Sequence, residues 1–535
     1  MPSETIGLYA QRGVIQDSVH GFIPINEAEY YLLQTPFFRR LHNIKQLGMS
    51  FLVFPSARHS RLEHSLGVMH LMWQLGRRVV EELAADQRLC QETLEDCDDK
   101  HFNTFIQVAR LVGMLHDVGH LAYSHMSEEA IKDIAHFSDS RSKALFDELT
   151  LYSGSDALKV HEAYGVAFSE SLARLAEGSD FPALKSTIEA AVASLRRGAQ
   201  GSEREALNEL GLRDNAILLL HDMISNEIAD ADRLDYLQRD AQATGIVYGN
   251  IDVARLLAGI KLQASSEGRP VLTLDIKSLQ TLEDVFDARY KMYRSVYFHH
   301  KTISLAKSVT RFLRLVSTLD LSWLGIYGNQ TLQEAIRPTA LSNAIMNDDY
   351  YFDDPELDLI VRGFASGSVK DDESRVIRRW ALSMLDRRDL LPLSLIKRSE
   401  EVTMIADSVL RSNGRAPTGK LVSELIDMLH SHVEYLEETM KSKLKVDDMK
   451  LDAFESYVIS SDRLNEGNIN VFNWNESMYL RALIEQGSMP VILLYAYSDD
   501  ESSHLKLRQR ANELRSVARE KIGEIMREGL KELRA

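Results

Sequence analysis

The chain has 535 residues, long for one hydrophobic core, so two or three domains are expected. Its hydrophobic share of 44% and charged share of 26% are those of an ordinary globular protein. A net charge of -17 excludes a surface that is basic all over but leaves room for a local basic pocket for phosphates.

The opening MPSETIGLYA lacks a basic segment followed by an apolar run, so no secretory signal is expected. The longest apolar stretches, near Ile217–Leu220 and Val491–Leu494, are far short of a membrane span. Cys90 and Cys97 are the only cysteines. Two cysteines cannot build a disulfide framework in a chain of this size, so a cytoplasmic location is expected, with both read as unreactive thiols on or beside one helix.

From Gln11 to Ser50 the pattern predicts a short N-terminal element and then a helix, with Pro36 in its first turn. Phe37, Phe38, Leu41, Ile44 and Leu47 follow at helical spacing, and Gly48 is the stop. Arg39, Arg40 and Lys45 read as a solvated basic face or a subunit contact. Further helices are predicted over 66–82, 105–116, 161–175 and 215–240, each from apolar residues recurring every three or four positions. Residues 193–203 read as an exposed loop, and Ile260–Leu262 with Val271–Leu274 as a small hairpin. Residues 282–313 read as one or two long helices. Beyond about 315 a Gly- and Asn-containing loop leads into a mixed region. Its clear helix carries Val422, Leu425, Leu429, Val433, Leu436, Met440 and Leu444. Short strands are predicted at Tyr457–Ile459, Val471–Trp474 and Val491–Tyr497. A final helix shows Ala511, Leu514, Ala518, Ile522 and Ile525 on one face.

Polar chemistry concentrates in three places. His64 lies in RHSRLEHSLGV, His116 and Asp117 in LVGMLHDVGHLAYSHM, and Asp232 in EIADADRLDYLQRD. Each is in or beside a predicted helix, so a rigid scaffold can bring them together. Two imidazoles and two carboxylates suit one divalent ion of the Mn, Fe, Co, Ni or Zn kind, which would acidify water and polarise a phosphorus centre. His120 and His125 add two imidazoles within ten residues of His116, and Gly119 permits close backbone approach. Asp235, three residues after Asp232, supports either the helix or the ligand set.

The blocks RLxxIKQLG at Arg40–Gly48, FPSARHSRLEHSLGVMH, LHDVGHLAYSH, HE at His161–Glu162, EIADADRLDYLQRD and TGIVYG occur in this order. Together they resemble the HD-domain nucleotide triphosphohydrolases over roughly residues 10 to 310. The resemblance implies hydrolysis of a dNTP to a deoxynucleoside and inorganic triphosphate, with water attacking the alpha phosphorus. It implies His64, His116, Asp117 and Asp232 as ligands of one divalent metal ion (Mn, Fe, Co, Ni, Zn or Mg). It implies His125 and His161 in the chemistry and His120 lining the same pocket. Arg61, Arg233, Tyr236 and Arg289 match phosphate- or sugar-contacting positions, with lysine in vertebrate members at the place of Arg233. Asp240 matches an acidic residue near the sugar, and His299 a histidine near the nucleotide. Tyr293 departs from the pattern, standing where vertebrate members have histidine, which bears on base and sugar contacts.

The leaving alkoxide is poor, so a proton donor is needed, and histidine donates near neutral pH. His161 is the preferred donor, oriented by Glu162 or another carboxylate; His125 shares that role or binds the attacked phosphate. The expected fold is mostly α: an HD-domain helical core with small β-hairpins and a mixed helical/strand C-terminal region. The catalytic domain is expected over 1–315 and an accessory, oligomerising domain over 316–535. Expected partners are a nucleotide substrate, a nucleotide activator and further copies of the chain, with no membrane; the acidic balance offers no support for nucleic-acid binding. Other HD chemistries (nucleotidase, cyclic-nucleotide phosphodiesterase, nuclease) and non-catalytic nucleotide sensing are the alternatives.

Overall fold

A computed structural model describes residues 5–154, 159–226, 228, 230–325, 327–367, 372–386, 391–396, 432–444, 449–454, 492–499 and 501–532. The chain divides into two compact units. One comprises Met1–Ala288 and Val309–Gly363, the other Arg289–Ser308 and Phe364–Ala535, in place of a single cut after residue 315.

The first unit opens with an antiparallel sheet in the order β1 (Thr5–Ile6), β2 (Tyr9–Asp17), β3 (Gly21–Asn26). Ile15 faces Ile23 across the hairpin. Asp17 shapes the turn, its Oδ1 accepting the backbone N–H groups of Val19 and His20 at 2.9 and 2.8 Å. The hairpin is the short element expected before the first helix. Asn26 ends β3 and caps α1 (Glu27–Leu33), with Glu29 closing a capping box.

The helix predicted from Pro36 to Leu47 is not continuous. Pro36 does begin a helix, α2 (Pro36–Arg39), but a 3-10 turn at Arg40–His42 follows. Backbone bonds to residues 59–61 then replace the helical ladder: Gln46 N–H donates to His59 O at 3.0 Å and Arg61 N–H to Ile44 O at 2.8 Å. The apolar spacing still reports burial, since Phe37, Phe38, Leu41 and Ile44 are fully enclosed. Gly48, at φ +49°, begins a second 3-10 turn, Gly48–Leu52.

The helices predicted next are present and longer. Ser60 and Glu63 form a capping box that starts α3 (Arg61–Ala85). There follow α4 (Gln87–Thr93), α5 (Asp99–Leu115), α6 (His125–Ala135), α7 (Ser140–Ser153), α8 (Val160–Glu177), α9 (Leu184–Leu195) and α10 (Glu203–Leu210). Residues 215–240 form two helices rather than one, α11 (Asp214–Ile224) and α12 (Ala231–Thr244). The side chain of Asp230 accepts the N–H of Arg233 and restarts the helix there, which puts Asp232 in its first turn. After α13 (Val253–Ala258), β4 (Ile260–Ala264) and β5 (Pro270–Leu274) pair as the expected hairpin. The long helical stretch is α14 (Leu279–Met292), a π-helical segment (Tyr293–Tyr297) and α15 (His300–Val316).

The helices α3 and α5 form the central pair. A Cβ on Gly113 would lie 2.8 Å from the backbone of Met69, so the glycine lets the two backbones touch. Val68, Met69, Met72, Leu75, Val108, Ala109 and Val112 fill the surrounding core.

In the second unit, β6 (Leu391–Ile396), β8 (Ile492–Tyr497) and β7 (Lys450–Phe454) make an antiparallel sheet in that order. The clear C-terminal helix is described over Val433–Leu444, with Leu436 and Met440 buried; Val422, Leu425 and Leu429 lie outside the described residues. So do the strands expected at Tyr457–Ile459 and Val471–Trp474. The last helix, Ala511–Glu532, buries Leu514, Ala518, Ile522 and Ile525 as its spacing predicts. The architecture is mostly α-helical with small β-hairpins and a mixed C-terminal region. Among the described residues no helix is long and apolar enough to cross a membrane.

Two expectations need correction. Cys90 and Cys97 are joined in a disulfide: α4 ends at Thr93 and the chain turns back, bringing their Cα atoms to 6.0 Å, within bonding range. Arg40 is not on a solvated face. It is fully buried, and its guanidinium donates to the carbonyls of Val118 (3.0 Å), His120 (2.5 Å) and Tyr351 (3.2 Å). Lys45 pairs with buried Asp354 at 2.9 Å, and only Arg39, paired with Asp348, is exposed.

Candidate metal centre

Three helices deliver the first cluster: α3 carries His64 one turn in, His116 caps the C-terminus of α5 with Asp117 following, and α12 carries Asp232 in its first turn. His64 Nε2 lies 3.2 Å from His116 Nε2, 3.0 Å from Asp232 Oδ1 and 3.4 Å from Asp117 Oδ2. His116 Nε2 lies 3.5 Å from Asp117 Oδ1 and 3.8 Å from Asp232 Oδ1. Donors each about 2.1 Å from a shared ion stand roughly 3.0–3.4 Å apart, and one donor atom each from His64, His116 and Asp232 lies within 4.8 Å of the others, a set that could hold a divalent ion. Asp117 stands beside that set, turning Oδ2 to His64 and Oδ1 to His116. The side chain of Asp232 is 41% exposed while that of His64 is 0%, which makes Asp232 the open side of the site.

The imidazoles are fixed from behind. His64 Nδ1 is 2.7 Å from Asp235 Oδ2, and His116 Nδ1 is 2.8 Å from Gly113 O. Both Nδ1 atoms face acceptors, which leaves both Nε2 atoms turned to the common centre. Asp235, fully buried, is held in turn by Arg239 and by His20, whose Nε2 is 2.6 Å from its Oδ1. Asp235 thus supports the ligand set rather than the helix alone. His20 escaped the sequence reading because nothing at a hairpin turn announces a partner 215 residues away.

Electrostatics point the same way. Burial disfavours charge on His64, yet hydrogen bonds to Asp232 and Asp235 and the nearby Asp117 push it up to about 10. Burial likewise opposes ionisation of Asp117, but His116, Arg61 and His120 hold its carboxyl well below the usual range. A site so negative attracts positive charge, and the donor set of two imidazoles and two carboxylates is that of a divalent ion.

A helical glycine makes room for this support. A Cβ on Gly67 would lie 1.9 Å from Asp235 Oδ1 and 2.5 Å from Arg239 Nη2. Gly67→Ala is expected to cost about 1–3 kcal/mol in urea unfolding. It should also weaken divalent-ion binding about 10- to 100-fold, measured by equilibrium dialysis. Unchanged metal affinity would show that Asp235 is not needed to aim His64.

A second cluster adjoins the first. His120 Nε2 is 3.2 Å from Asp117 Oδ1. Glu128 Oε1 lies 2.9 Å from His125 Nδ1, 3.1 Å from His120 Nδ1 and 3.2 Å from His161 Nδ1. The rings of His120 and His161 stack at 4.4 Å, and His125 stands edge-on to His120 at 4.6 Å. Burial alone would raise Glu128, but His161 and His125 hold its carboxyl well below the ordinary range. Burial would lower His161, but Glu128 raises it to about 8. Burial and the Arg61 charge depress His120 to about 4. The orienting carboxylate is therefore Glu128, not Glu162, which pairs with exposed Lys159. The spacing of His125 and Glu128, three apart at the start of α6, was the available signal.

The loop between His116 and His125 is tightly determined. Tyr123 and Ser124 adopt positive φ of 58° and 55°, which costs a non-glycine residue about 1–3 kcal/mol. Arg40 holds two of its carbonyls, Asp354 Oδ1 accepts the N–H of Tyr123 at 2.7 Å, and Phe352 O accepts that of Ala122. A Cβ on Gly119 would lie 2.1 Å from His161 O and 2.2 Å from Gly165 N, so only glycine lets this loop rest on α8 and set His120 against His161.

The expected substrate contacts divide. Buried Arg61 bonds Asp117 Oδ2 (2.5 Å), Ser124 Oγ (3.0 Å) and Gln46 O (3.3 Å), so it braces a candidate ligand. Arg233 pairs with Asp230 at 3.0 Å and lies over the Phe286 ring. Tyr236 is half-buried one turn after Asp232. Buried Asp240 pairs with His59 at 2.7 Å. Arg289 and His299 belong to the other compact unit, Arg289 over the Tyr293 ring and His299 stacked on His300.

No family model matches the chain. An uncharacterized protein of Methanocaldococcus jannaschii is 29% identical over 298 residues, 56% of this chain and 48% of that protein. Deoxynucleoside triphosphate triphosphohydrolase SAMHD1 of Gallus gallus is 28% identical over 298 residues, 54% of this chain and 42% of that enzyme. The chain spans about half the length of these curated relatives. Among solved structures, a hypothetical protein from Aquifex aeolicus superposes with a TM-score of 0.51 at 20% identity. The match covers 94% of this chain and 99% of that one and shows a shared fold. The chain thus carries His/Asp/Glu clusters able to coordinate a divalent ion and is similar, at 28% identity over about half of its length, to SAMHD1 of Gallus gallus.

Proposed function

We propose that this protein is a metal-dependent phosphohydrolase that converts dNTPs to deoxynucleoside and inorganic triphosphate, with His64, His116, Asp117 and Asp232 holding the ion. The observation that carries the reading is the convergence of two imidazoles, each pinned through Nδ1, with the carboxylate of Asp232, Asp117 alongside and a proton-bearing histidine cluster next to it. The similarity to a vertebrate deoxynucleoside triphosphate triphosphohydrolase supports the choice of substrate. A divalent ion held there supplies Lewis-acid charge to a phosphate and acidifies water. The chain does the rest. Asp235 and Gly113 O aim the two imidazoles. Arg61 fixes Asp117. His161, kept cationic by Glu128, would deliver a proton to the leaving 5′ oxygen. Exposed His125 would meet an entering phosphate, and neutral His120 bridges the two clusters. The contacts of Arg233, Tyr236, Asp240, Arg289 and His299 with a nucleotide belong to this proposal, as does an oligomerising role for the C-terminal region.

The test loads metal-free protein with Mn, Mg, Co or Ni and supplies dNTPs and NTPs, singly and in mixtures, with products separated by ion exchange. Release of inorganic triphosphate is expected, and turnover confined to mixtures would reveal a nucleotide activator. Monophosphate or pyrophosphate as the sole phosphorus product would overturn the triphosphohydrolase reading.

A further inference from the structure

We propose that His120, His125, His161 and Glu128 form a second cation site, selective for a zinc-like ion and separate from the cluster at His64. Three imidazole Nδ1 atoms converge on one carboxylate oxygen at 2.9–3.2 Å, and one donor atom from each residue lies within 4.8 Å of every other. Four donors about 2.0–2.1 Å from zinc stand roughly 3.3 Å apart, close to the three nitrogen–oxygen distances here and inside the 4.8 Å that bounds all four donors. A set of three imidazoles and one carboxylate favours zinc or nickel over magnesium, which takes oxygen donors and keeps its water.

A second observation comes from His120. Its ring is buried, and among the described residues its Nδ1 makes no directed hydrogen bond although Glu128 Oε1 is 3.1 Å away. A donor or lone pair sealed from water and aimed into a cluster without a bond is costly, and a cation would satisfy it. The side of entry is open: the side chain of His125 is 65% exposed and that of His161 27%. An ion here would engage the carboxylate and Nδ1 atoms that hold His161 and His125. On the reading proposed above it would therefore inhibit turnover, so that one equivalent of metal activates and a second suppresses.

Zinc counting on the full chain tests the site without recourse to activity. After equilibrium dialysis, His116→Ala should still retain zinc, and adding His125→Ala should remove one equivalent per chain or weaken its binding at least 100-fold. Because His125 is largely exposed, its loss should leave the circular dichroism melt unchanged, which excludes unfolding as the cause. Glu128→Gln in the His116→Ala background should lower retention in the same way. Zinc content in the His116→Ala background that does not respond to His125→Ala or Glu128→Gln would overturn the second site while leaving the phosphohydrolase reading intact. Failure to release triphosphate would sink that reading without altering the count.

Discussion

Asp232→Asn and His116→Ala are each expected to lose the divalent ion of the His64 cluster and at least about 1,000-fold in turnover, since Lewis-acid stabilisation is worth several kcal/mol. Asp232→Asn is the sharper variant. It preserves shape, removes one negative charge and alters a side chain that is 41% exposed, so the fold should survive. The buried Asp117, Asp235 and Arg61 network stays in place, yet His64 loses a carboxylate 3.0 Å from its Nε2. His116→Ala removes the imidazole that only a backbone carbonyl orients, and it leaves the His64–Asp235 pair intact. Metal analysis after dialysis, melting curves and product assays on both variants separate ligand loss from unfolding. Retained turnover in both would refute the ligand assignment.

The candidate ligand positions His64, His116 and Asp232 were legible because each sits on or at the end of an amphipathic helix whose periodicity survives in the structure. His64 lies in α3, His116 at the end of α5 and Asp232 in α12. The supports were harder to see, because they join residues far apart in sequence. His20 reaches Asp235 from a hairpin turn, and Asp354 reaches the Tyr123 backbone across 231 residues. Arg40 looked like part of a surface group with Arg39 and Lys45, because charge at the surface is the usual place for arginine. Its burial depends on three carbonyls that only the folded loop presents. The break in the Pro36–Leu47 stripe failed for the related reason that tertiary backbone bonds to residues 59–61 outcompeted a helical pattern. The pairing of Arg61 with Asp117, 56 residues away, was likewise invisible in the sequence, since only the fold brings the buried charge and its partner together.

A pH profile should show the other large effect. Burial would push His161 below the usual histidine value, and Glu128 overrides it, raising the ring to about 8. The ring is therefore protonated below about 8 and neutral above, so a general-acid rate is retained on the acid side and falls about tenfold per pH unit beyond that value. The limb belongs in kcat/KM, which reports the ionisations of the free enzyme. Glu128→Gln keeps a hydrogen-bond acceptor and deletes the charge. Burial then acts unopposed, and the limb should move below about 6.5, the unperturbed histidine value. At pH 7.5 that shift alone costs roughly tenfold. His161→Ala should remove the limb altogether and cost about 100- to 10,000-fold. A Glu128→Gln profile that overlays the parent would mean either that another group donates the proton or that Glu128 does not set the charge on His161. The His161→Ala rate separates those two outcomes, since only the first leaves it near the parental value.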